Sequence, residues 1–367
     1  IEMDKMNLSK TVLLFPLALF AFLPSAEAEV VIDHDKGVRV EGGFLSRFFG
    51  SKGGVDQAQS LINDAEAHLA AENYRRALSA YKKIAKNFSI EKVETGDGRK
   101  VYAAAEALFQ SALIRERNSQ WEKAFDSLQQ IVDKYPSYDF NKVIQVQGRI
   151  ASKLGSGART KIFRIIPGFR NLGKAHDFHQ KIAENARGPE HAPVALMASA
   201  DIARQDDNKV DAIDSLERLI NLYPEDRLTE KAYYDLAVIH ESMVKGPLYD
   251  QGATLKAVNL YEDYLILFES IDRAPRESEN DFVERKAVWA VRLAQAEQGL
   301  ARMRDMLARS KLEIGQFYHN HGHKFAPRRS ADQPARQYYN EAITLAPNSE
   351  SARTSGKLLK QLDKAKE

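Results

Sequence analysis

The feature that most constrains the fold of this chain is a repeated spacing of small, large and proline residues. Two stretches, KAFDSLQQIVDKYP and DAIDSLERLINLYP, carry alanine, leucine, a second aliphatic residue and proline at the same steps. The two sets are Ala124, Leu128, Ile131 and Pro136, and Ala212, Leu216, Leu219 and Pro224. Four further stretches begin the same pattern at Ala77, Ala175, Ala257 and Ala335. Each stretch predicts an amphipathic helix, and a proline stops several of them.

A second set of small residues precedes these alanines. In three cases the small residue lies 12 positions earlier, at Ala65, Ala112 and Ala200. In the other three the gap is longer, and the pairs are Gly148 with Ala175, Ala237 with Ala257, and Gly315 with Ala335. Small residues let two helix backbones approach, and larger residues three and four positions on fill the seam between them. The pattern therefore predicts successive pairs of closely packed helices.

These spacings resemble those of tetratricopeptide repeats, which are helix-turn-helix units of about 34 residues. The resemblance implies an all-α superhelix of about six units over residues 56–365, with an inner groove lined by the first helix of each unit. An ordinary helical bundle is the alternative. Residues 281–317 carry no second-helix pattern, and they predict one or two long helices that lead into the last unit.

Three stretches add a closer resemblance. They are AYYDLAVIHES with the following KAVNLYEDYLILF, then LARSKLEIGQFYHNHG, and finally ARQYYNEAITLAPNSESA. Their arrangement resembles the BamD-like family, a tetratricopeptide-repeat component of outer-membrane β-barrel assembly. The resemblance implies a non-enzymatic periplasmic scaffold whose partners are the outer-membrane assembly insertase and unfolded outer-membrane proteins. Members of that family are typically lipoproteins with an acylated cysteine, and this sequence contains no cysteine.

The N-terminal residues carry an export signal. Lys5 and Lys10 precede an apolar run from Val12 to Leu23, and small residues follow at Ala26 and Ala28. This order predicts a signal peptide over residues 1–28, with a retained signal anchor as the alternative. We therefore expect a periplasmic protein that associates with the outer membrane through protein partners.

Residues 29–55 differ from the rest of the sequence. They contain short β-branched runs and several glycines, and they show no helical period. We interpret them as an extended N-terminal arm. Its apolar residues Phe44, Leu45, Phe48 and Phe49 need a surface to dock on, either on this chain or on a partner.

The predicted groove follows from counting positions along the first helices. Its members are Asn63, Glu66, Glu106, Phe109, Leu113, Asp201, Arg204, Tyr234 and Val238. This lining mixes acidic, apolar and aromatic side chains, which suits an extended peptide with alternating aromatic character. Packing between repeats is the alternative role for each of these residues.

The sequence offers little material for catalysis. Without cysteine it has no thiolate metal site and no thiol nucleophile, and no other catalytic arrangement stands out, so we predict neither an enzyme nor a cofactor. The net charge of +2 argues against nucleic acid as the main partner. His319, His321 and His323 could bind a metal in an extended strand, but at a helix end they would point to different sides.

Two smaller features leave alternatives open. His176 and His179 could share a metal, or His179 could be a buried packing residue. Residues 159–170 contribute basic and apolar side chains to a wider basic run that begins at Arg149 and Lys153. This stretch predicts peripheral contact with a membrane surface or a partner, with a solvated loop as the alternative.

The alternative function for the whole chain is a periplasmic adaptor of cell-envelope or division machinery.

Overall fold

The computed structural model describes nine segments of the chain. They are residues 29–33, 37–41, 52–158, 161–162, 166–167, 171–249, 251–274, 277–324 and 332–364. The predicted signal peptide therefore lies outside the described residues, as does most of the stretch 159–170. The chain divides into two compact units, residues 1–111 and residues 112–367.

The first unit contains two antiparallel strand pairs and two complete helices. Its elements are β1 (Glu29–Asp33), β2 (Gly37–Glu41), α1 (Lys52–Ala70), α2 (Tyr74–Asn87), β3 (Lys92–Glu94) and β4 (Lys100–Tyr102). Helix α3 (Ala103–Arg117) begins in this unit and ends in the second. Strand β1 pairs with β2, and β3 pairs with β4. Helix α1 begins a few residues before the predicted start of the repeat domain at residue 56.

The second unit is a succession of helices that pack on their neighbours along the chain. Its helices are α4 (Trp121–Lys134), α5 (Phe140–Gly155), α6 (Leu172–Asn185), α7 (Ala192–Gln205), α8 (Lys209–Leu222), α9 (Thr229–Glu241), α10 (Gln251–Leu267), α11 (Glu279–His321), α12 (Gln333–Leu345) and α13 (Glu350–Lys364). A short strand pair, β5 (Lys161–Ile162) with β6 (Ile166–Pro167), separates α5 from α6. The predicted all-α fold of helix pairs is confirmed.

We call the odd-numbered helices α1 to α11 first helices and the even-numbered helices α2 to α12 second helices. With the exception of Gly148, the predicted small residues are buried, and the alanines among them are fully buried. These are Ala65, Ala77, Ala112, Ala124, Ala175, Ala200, Ala212, Ala237, Ala257 and Ala335, each with 0% exposure. The residues predicted to fill the seams are buried too, among them Leu128, Leu216 and Tyr339.

One predicted pairing is wrong. Gly148 is not the small residue opposite Ala175, because a Cβ on Gly148 would meet no heavy atom within 4 Å. Gly155 takes that place, since a Cβ there would lie 3.8 Å from the Ala175 Cβ and 2.8 Å from Ile202 Cδ1. The gap from Gly155 to Ala175 is 20 positions, as in the two stretched pairs that follow. Helix α5 contains two glycines, Gly148 and Gly155, and the prediction used the first although the second makes the contact.

The three compact pairs share one backbone conformation in their turns. Glu72, Ser119 and Asp207 have φ values of 54°, 56° and 54°. Each lies seven positions after the small residue of its first helix. A left-handed residue reverses the chain within a few positions, which makes the 12-position spacing possible.

The strand pair β3–β4 departs from the prediction that the chain is helical from residue 56 onward. Val93 is buried, the Thr95 hydroxyl donates to the Arg99 carbonyl at 3.1 Å, and Gly98 has φ of 78°. The stretch TGDG between the strands is turn chemistry that favours a hairpin. The small residue of one second helix, Ala77, lies 35 positions before that of the next first helix, Ala112. The corresponding distance from Ala212 to Ala237 is 25 positions, so the first of these connections has room for an insertion.

Helix α11 is a single helix of 43 residues that meets two second helices through two glycines. A Cβ on Gly299 would lie 2.8 Å from Tyr261 Cε1 in α10, and one on Gly315 would lie 2.6 Å from Tyr339 Cε1 in α12. Both rings are fully buried and have little space to move. The two tyrosines therefore require glycine at these positions of α11.

We predict that Gly299→Ala lowers the free energy of unfolding by about 1–3 kcal/mol, because the new methyl group overlaps the buried Tyr261 ring. Gly356→Ala in α13 is the matched control, since a Cβ there meets no heavy atom within 4 Å. The control should be neutral or gain up to about 1 kcal/mol from helix propensity. Urea unfolding followed by circular dichroism measures both variants. Equal stability of the two variants would contradict the close packing at Gly299.

Candidate protein-binding surface

Four charged side chains connect two first helices, α7 and α9. Lys231 Nζ lies 2.7 Å from Asp235 Oδ2 and 3.2 Å from Asp201 Oδ1. Arg204 reaches Asp235 Oδ2 at 3.1 Å. Asp235 is only 5% exposed. An unpaired carboxylate would be unfavourable at such a buried position, and the positive charges of Lys231 and Arg204 compensate for it. The cluster fixes the position of α9 against α7 and places charges of both signs on the first helices.

Two further ion pairs connect α9 with α11. Arg292 Nε donates to Glu230 Oε1 at 3.0 Å, and its Nη2 pairs with the other carboxylate oxygen. Near the end of α9, Arg302 Nε donates to Glu241 Oε1 at 2.7 Å and Nη2 donates to Oε2 at 3.1 Å. Paired contacts of this kind set the orientation of both groups as well as their distance. They hold the first half of α11 along α9.

Buried tyrosines of the second helix α10 complete both ion pairs. The Tyr264 hydroxyl donates to Glu230 Oε1 at 2.6 Å, and the Tyr261 hydroxyl donates to Glu241. Burial by itself raises the pKa of Glu241, but the hydrogen bonds from Arg302 and Tyr261 outweigh it, and the net shift is downward. Glu230 and Glu241 are therefore both acceptors shared by α10 and α11, and the lowered pKa keeps Glu241 ionised.

Tyr234 and Val238 lie half-buried on α9, between these polar contacts. The Tyr234 hydroxyl donates to Gln295 Oε1 at 2.8 Å, and its ring lies 5.7 Å from the Tyr264 ring. Both side chains keep part of their surface accessible on helices that are held in place by ion pairs. Together with Asp201 and Arg204 they form the surface that we call the first-helix face of the second unit.

In the first unit, the structure separates the predicted groove residues into exposed and buried ones. Asn63 is exposed and accepts a hydrogen bond from Gln59. Glu66 is half-buried, and burial followed by the charges of Glu106 and Asp97 raises its pKa. The carboxylates of Glu66 and Glu106 therefore lie close enough to interact across α1 and α3.

Phe109 and Glu106 were predicted on the surface of the groove, and the structure corrects both. Phe109 is 2% exposed and Glu106 is 3% exposed. Glu106 accepts a hydrogen bond from Gln110 Nε2 at 2.7 Å. Helix α3 is buried around most of its circumference, including the run 103–107, so it leaves few side chains for a partner. Leu113, in the second unit, is half-buried.

Sequence reasoning missed several residues of the first-helix face. These are Lys231, Asp235, Arg292, Gln295 and Arg302. The four-residue step from Lys231 to Asp235 is a visible signal for an ion pair on one helix face. The residues of α11 had no such signal, because that part of the chain lacks the repeat pattern from which positions were counted.

The basic residues Arg149 and Lys153 are paired within the second unit. Arg149 Nη2 lies 2.7 Å from Glu116 Oε2, and Lys153 Nζ lies 3.5 Å from Glu116 Oε1. The hydrogen bond from Arg149 is the main cause that lowers the pKa of Glu116. These two basic residues connect α5 to α3, so they add little free positive charge to the stretch 159–170.

The three C-terminal histidines have separate surroundings. His319 Nδ1 lies 3.1 Å from the Tyr339 hydroxyl, whereas His321 donates through Nδ1 to the Phe317 carbonyl at 3.1 Å. His323 is exposed in a 3-10 turn, Gly322–Lys324, that follows α11. Within the described segments, no three histidine, aspartate or glutamate side chains are grouped in a way that could hold a metal ion.

His176 and His179 lie in different environments although they share α6. His176 Nδ1 lies 2.8 Å from the Ser199 hydroxyl, and its Nε2 lies 3.8 Å from Asp211 Oδ2. His179 is 4% exposed, and burial followed by the charge of His176 lowers its pKa to about 4. His179 is therefore a neutral, buried residue at ordinary pH, as its packing position indicated.

We predict that His179 makes the fold less stable as pH falls. Its pKa is about 4 when folded and near 6.5 when unfolded, so between these values the unfolded chain binds a proton that the folded chain does not. Lowering the pH from 6.5 to 4 should therefore cost roughly 3 kcal/mol at this residue. His179→Phe should lose that much less stability across the window. Urea unfolding at several pH values measures the difference, and parallel pH curves would contradict it.

Comparison with known families identifies the repeat class. Residues 106–138 and 194–226 match the tetratricopeptide repeat model. The two matches begin at the same distance before Ala112 and Ala200, so they follow the register of the helix pairs. These two segments are thus similar to tetratricopeptide repeats, which indicate a scaffold for protein–protein interaction. No curated protein matches the sequence, and the resemblance to the BamD-like family stays a prediction.

The solved structures that match this chain are distant from it. The MamA protein is 14% identical with a TM-score of 0.27, covering 66% of this chain and 91% of that one. A tetratricopeptide repeat protein from Parabacteroides merdae is 12% identical with a TM-score of 0.29, covering 83% and 98%. The apo form of RapI is 12% identical with a TM-score of 0.32, covering 78% and 73%. Likeness at this level says nothing about function.

Among the described helices, none combines the length and the apolar composition needed to span a lipid bilayer. The long helix α11 illustrates this, because arginines such as Arg292 and Arg302 recur along it.

Proposed function

We propose that this chain is a periplasmic scaffold that binds extended segments of unfolded outer-membrane proteins, and the barrel-assembly insertase, during outer-membrane assembly. The observation that carries the proposal is the first-helix face of α7 and α9. There Tyr234, Val238, Asp201 and Arg204 offer aromatic, aliphatic and charged surface on helices whose relative position is fixed. Such mixed lining suits an extended peptide better than a small metabolite.

The rigidity of that surface supports binding. The ion pairs from α9 to α7 and α11 hold the first helices in place before any partner arrives. A surface ordered in advance loses less conformational entropy on association. Most of the entropy lost on binding then comes from ordering the partner segment. Weak, reversible capture of many different segments is the behaviour expected of an assembly factor.

We assign client segments to the N-terminal repeats and the insertase to the C-terminal repeats. In the first unit, the half-buried Glu66 offers a carboxylate, which favours client segments that carry a basic residue. The placement in the periplasm rests on the predicted signal peptide over residues 1–28, and the choice of outer-membrane assembly rests on the BamD-like stretches. We assign no catalytic step to the chain.

Site-specific photocross-linking in cells tests the proposal. A photoreactive amino acid replaces Val238 on the first helix α9, and in a matched control it replaces Val210, which is 75% exposed on the second helix α8. We expect cross-links from position 238 to outer-membrane β-barrel proteins or to the insertase, and far fewer from position 210.

Two results would contradict this expectation. Cross-links of equal yield from both positions would show that α9 is not the binding surface. Recovery from position 238 of division or peptidoglycan proteins alone would replace the assembly role with that of a cell-envelope adaptor. The unfolding midpoint of each substituted chain serves as the control for folding.

A further inference from the structure

The first half of helix α11 has one face packed against the chain and the opposite face exposed. On the packed face, Trp289 Nε1 donates to the Phe268 carbonyl at 3.0 Å, and Arg292 forms its ion pair with α9. On the opposite face, Val283 and Val291 are each 57% exposed. This half of α11 therefore presents large apolar side chains to the outside.

The exposed face is apolar over about three helical turns. Val283, Ala287, Val291 and Ala294 lie four, four and three positions apart, so they follow one side of the helix. All four are exposed, and we call them the free face of α11. Helix α12 meets α11 further along the chain, at Gly315. An apolar helix face of this kind indicates that another helix packs on it.

Four charged residues along one edge of the free face alternate in sign. They are Glu279, Lys286, Glu297 and Arg304. Their spacings are 7, 11 and 7 positions, which keep them within about 20° of one line along the helix. The spacings read the same from either end of the helix, whereas every sign is inverted when the direction is reversed.

This charge order fits the same helix of a second copy running in the opposite direction. In a twofold pair, a residue that contacts another is contacted by it in return. With the twofold axis beside Val291, Lys286 faces Glu297 of the second copy, and Glu279 faces Arg304. A parallel pair would instead place like charges opposite each other, which is unfavourable. The charges therefore select a second copy of this chain in the antiparallel direction.

The two inner charges are the ones free to set this register. Lys286 and Glu297 are exposed, and within the described segments neither forms an ion pair. The outer charges already have partners in the chain, since Glu279 lies 3.1 Å from Arg273, and Arg304 pairs with a glutamate of α10. Lys286 and Glu297 thus gain most from a second copy.

We infer that the chain forms an antiparallel twofold dimer through the free face of α11. The inference goes beyond the proposed function, because it concerns a face of α11 directed away from α9. Residues 279–304 extend over about 39 Å of helix. A helix pair of this length buries on the order of 1,000 Å², near the lower end for specific interfaces, so we expect dissociation constants of about 10–100 μM.

Sedimentation velocity of the full chain from about 1 to 300 μM tests the inference, because this range brackets the expected dissociation constant. The weight-average sedimentation coefficient of the wild type should rise with concentration. Val291→Asp places a charge at the centre of the free face and should weaken the dimer at least tenfold. Val210→Asp on α8 is the matched control at a valine that is 75% exposed, and it should associate as the wild type does. Circular dichroism confirms that each variant is folded.

Charge reversal tests the antiparallel register. Lys286→Glu and Glu297→Lys should each weaken self-association about fivefold or more, because each creates two contacts between like charges. An equimolar mixture of these two variants should associate as strongly as the wild type, since every reversed charge then faces one of opposite sign.

Three results would overturn the inference. The first is a wild-type chain that remains monomeric over the whole concentration range. The second is equal self-association of folded Val291→Asp and Val210→Asp. The third is a mixture of the two charge variants that associates no better than either variant alone.

Discussion

The close approach of helices at small residues is the constraint on which the rest of the structure depends. Alanine at the contact positions, or glycine as at Gly155, Gly299 and Gly315, lets a buried large side chain of the facing helix reach the neighbouring backbone. This packing repeats along the chain, so each helix pair is stabilised by its immediate neighbours. The order of the helices, and therefore the face that each presents, follows from these local contacts.

A second level of order lies between first helices. Ion pairs connect α3 with α5, α7 with α9, and α9 with α11, and each contains a mostly buried carboxylate, at Glu116, Asp235 and Glu230. Mostly buried carboxylates of this kind are costly unless they are paired, so they define one arrangement of the helices more sharply than apolar packing does. The half-buried aromatic and aliphatic residues between them are thereby presented on a fixed frame.

The repeat could be predicted from the sequence because its signal is local and periodic. Ala112 with Ala124 and Ala200 with Ala212 identify a helix pair without any knowledge of the rest of the chain. The error at Gly148 arose because a longer helix α5 offers two glycines, and only tertiary contact distinguishes them. Asp201, Arg204, Tyr234 and Val238 lie on first helices as counted, but Gln295, the partner of Tyr234, lies on α11, a helix without the repeat pattern. The burial of Phe109 depends on how many neighbours surround α3, which a single periodic pattern does not reveal.

In the proposed function the first helices, and not the second helices, meet the partner. Amide hydrogen exchange of the full chain, alone and mixed with a chemically unfolded outer-membrane β-barrel protein, tests it most directly. We expect slower exchange in α7 and α9 when the barrel protein is present, with exchange in α8 and α12 unchanged. Protection confined to α8 and α12, or no protection in any helix at saturating barrel protein, would contradict it.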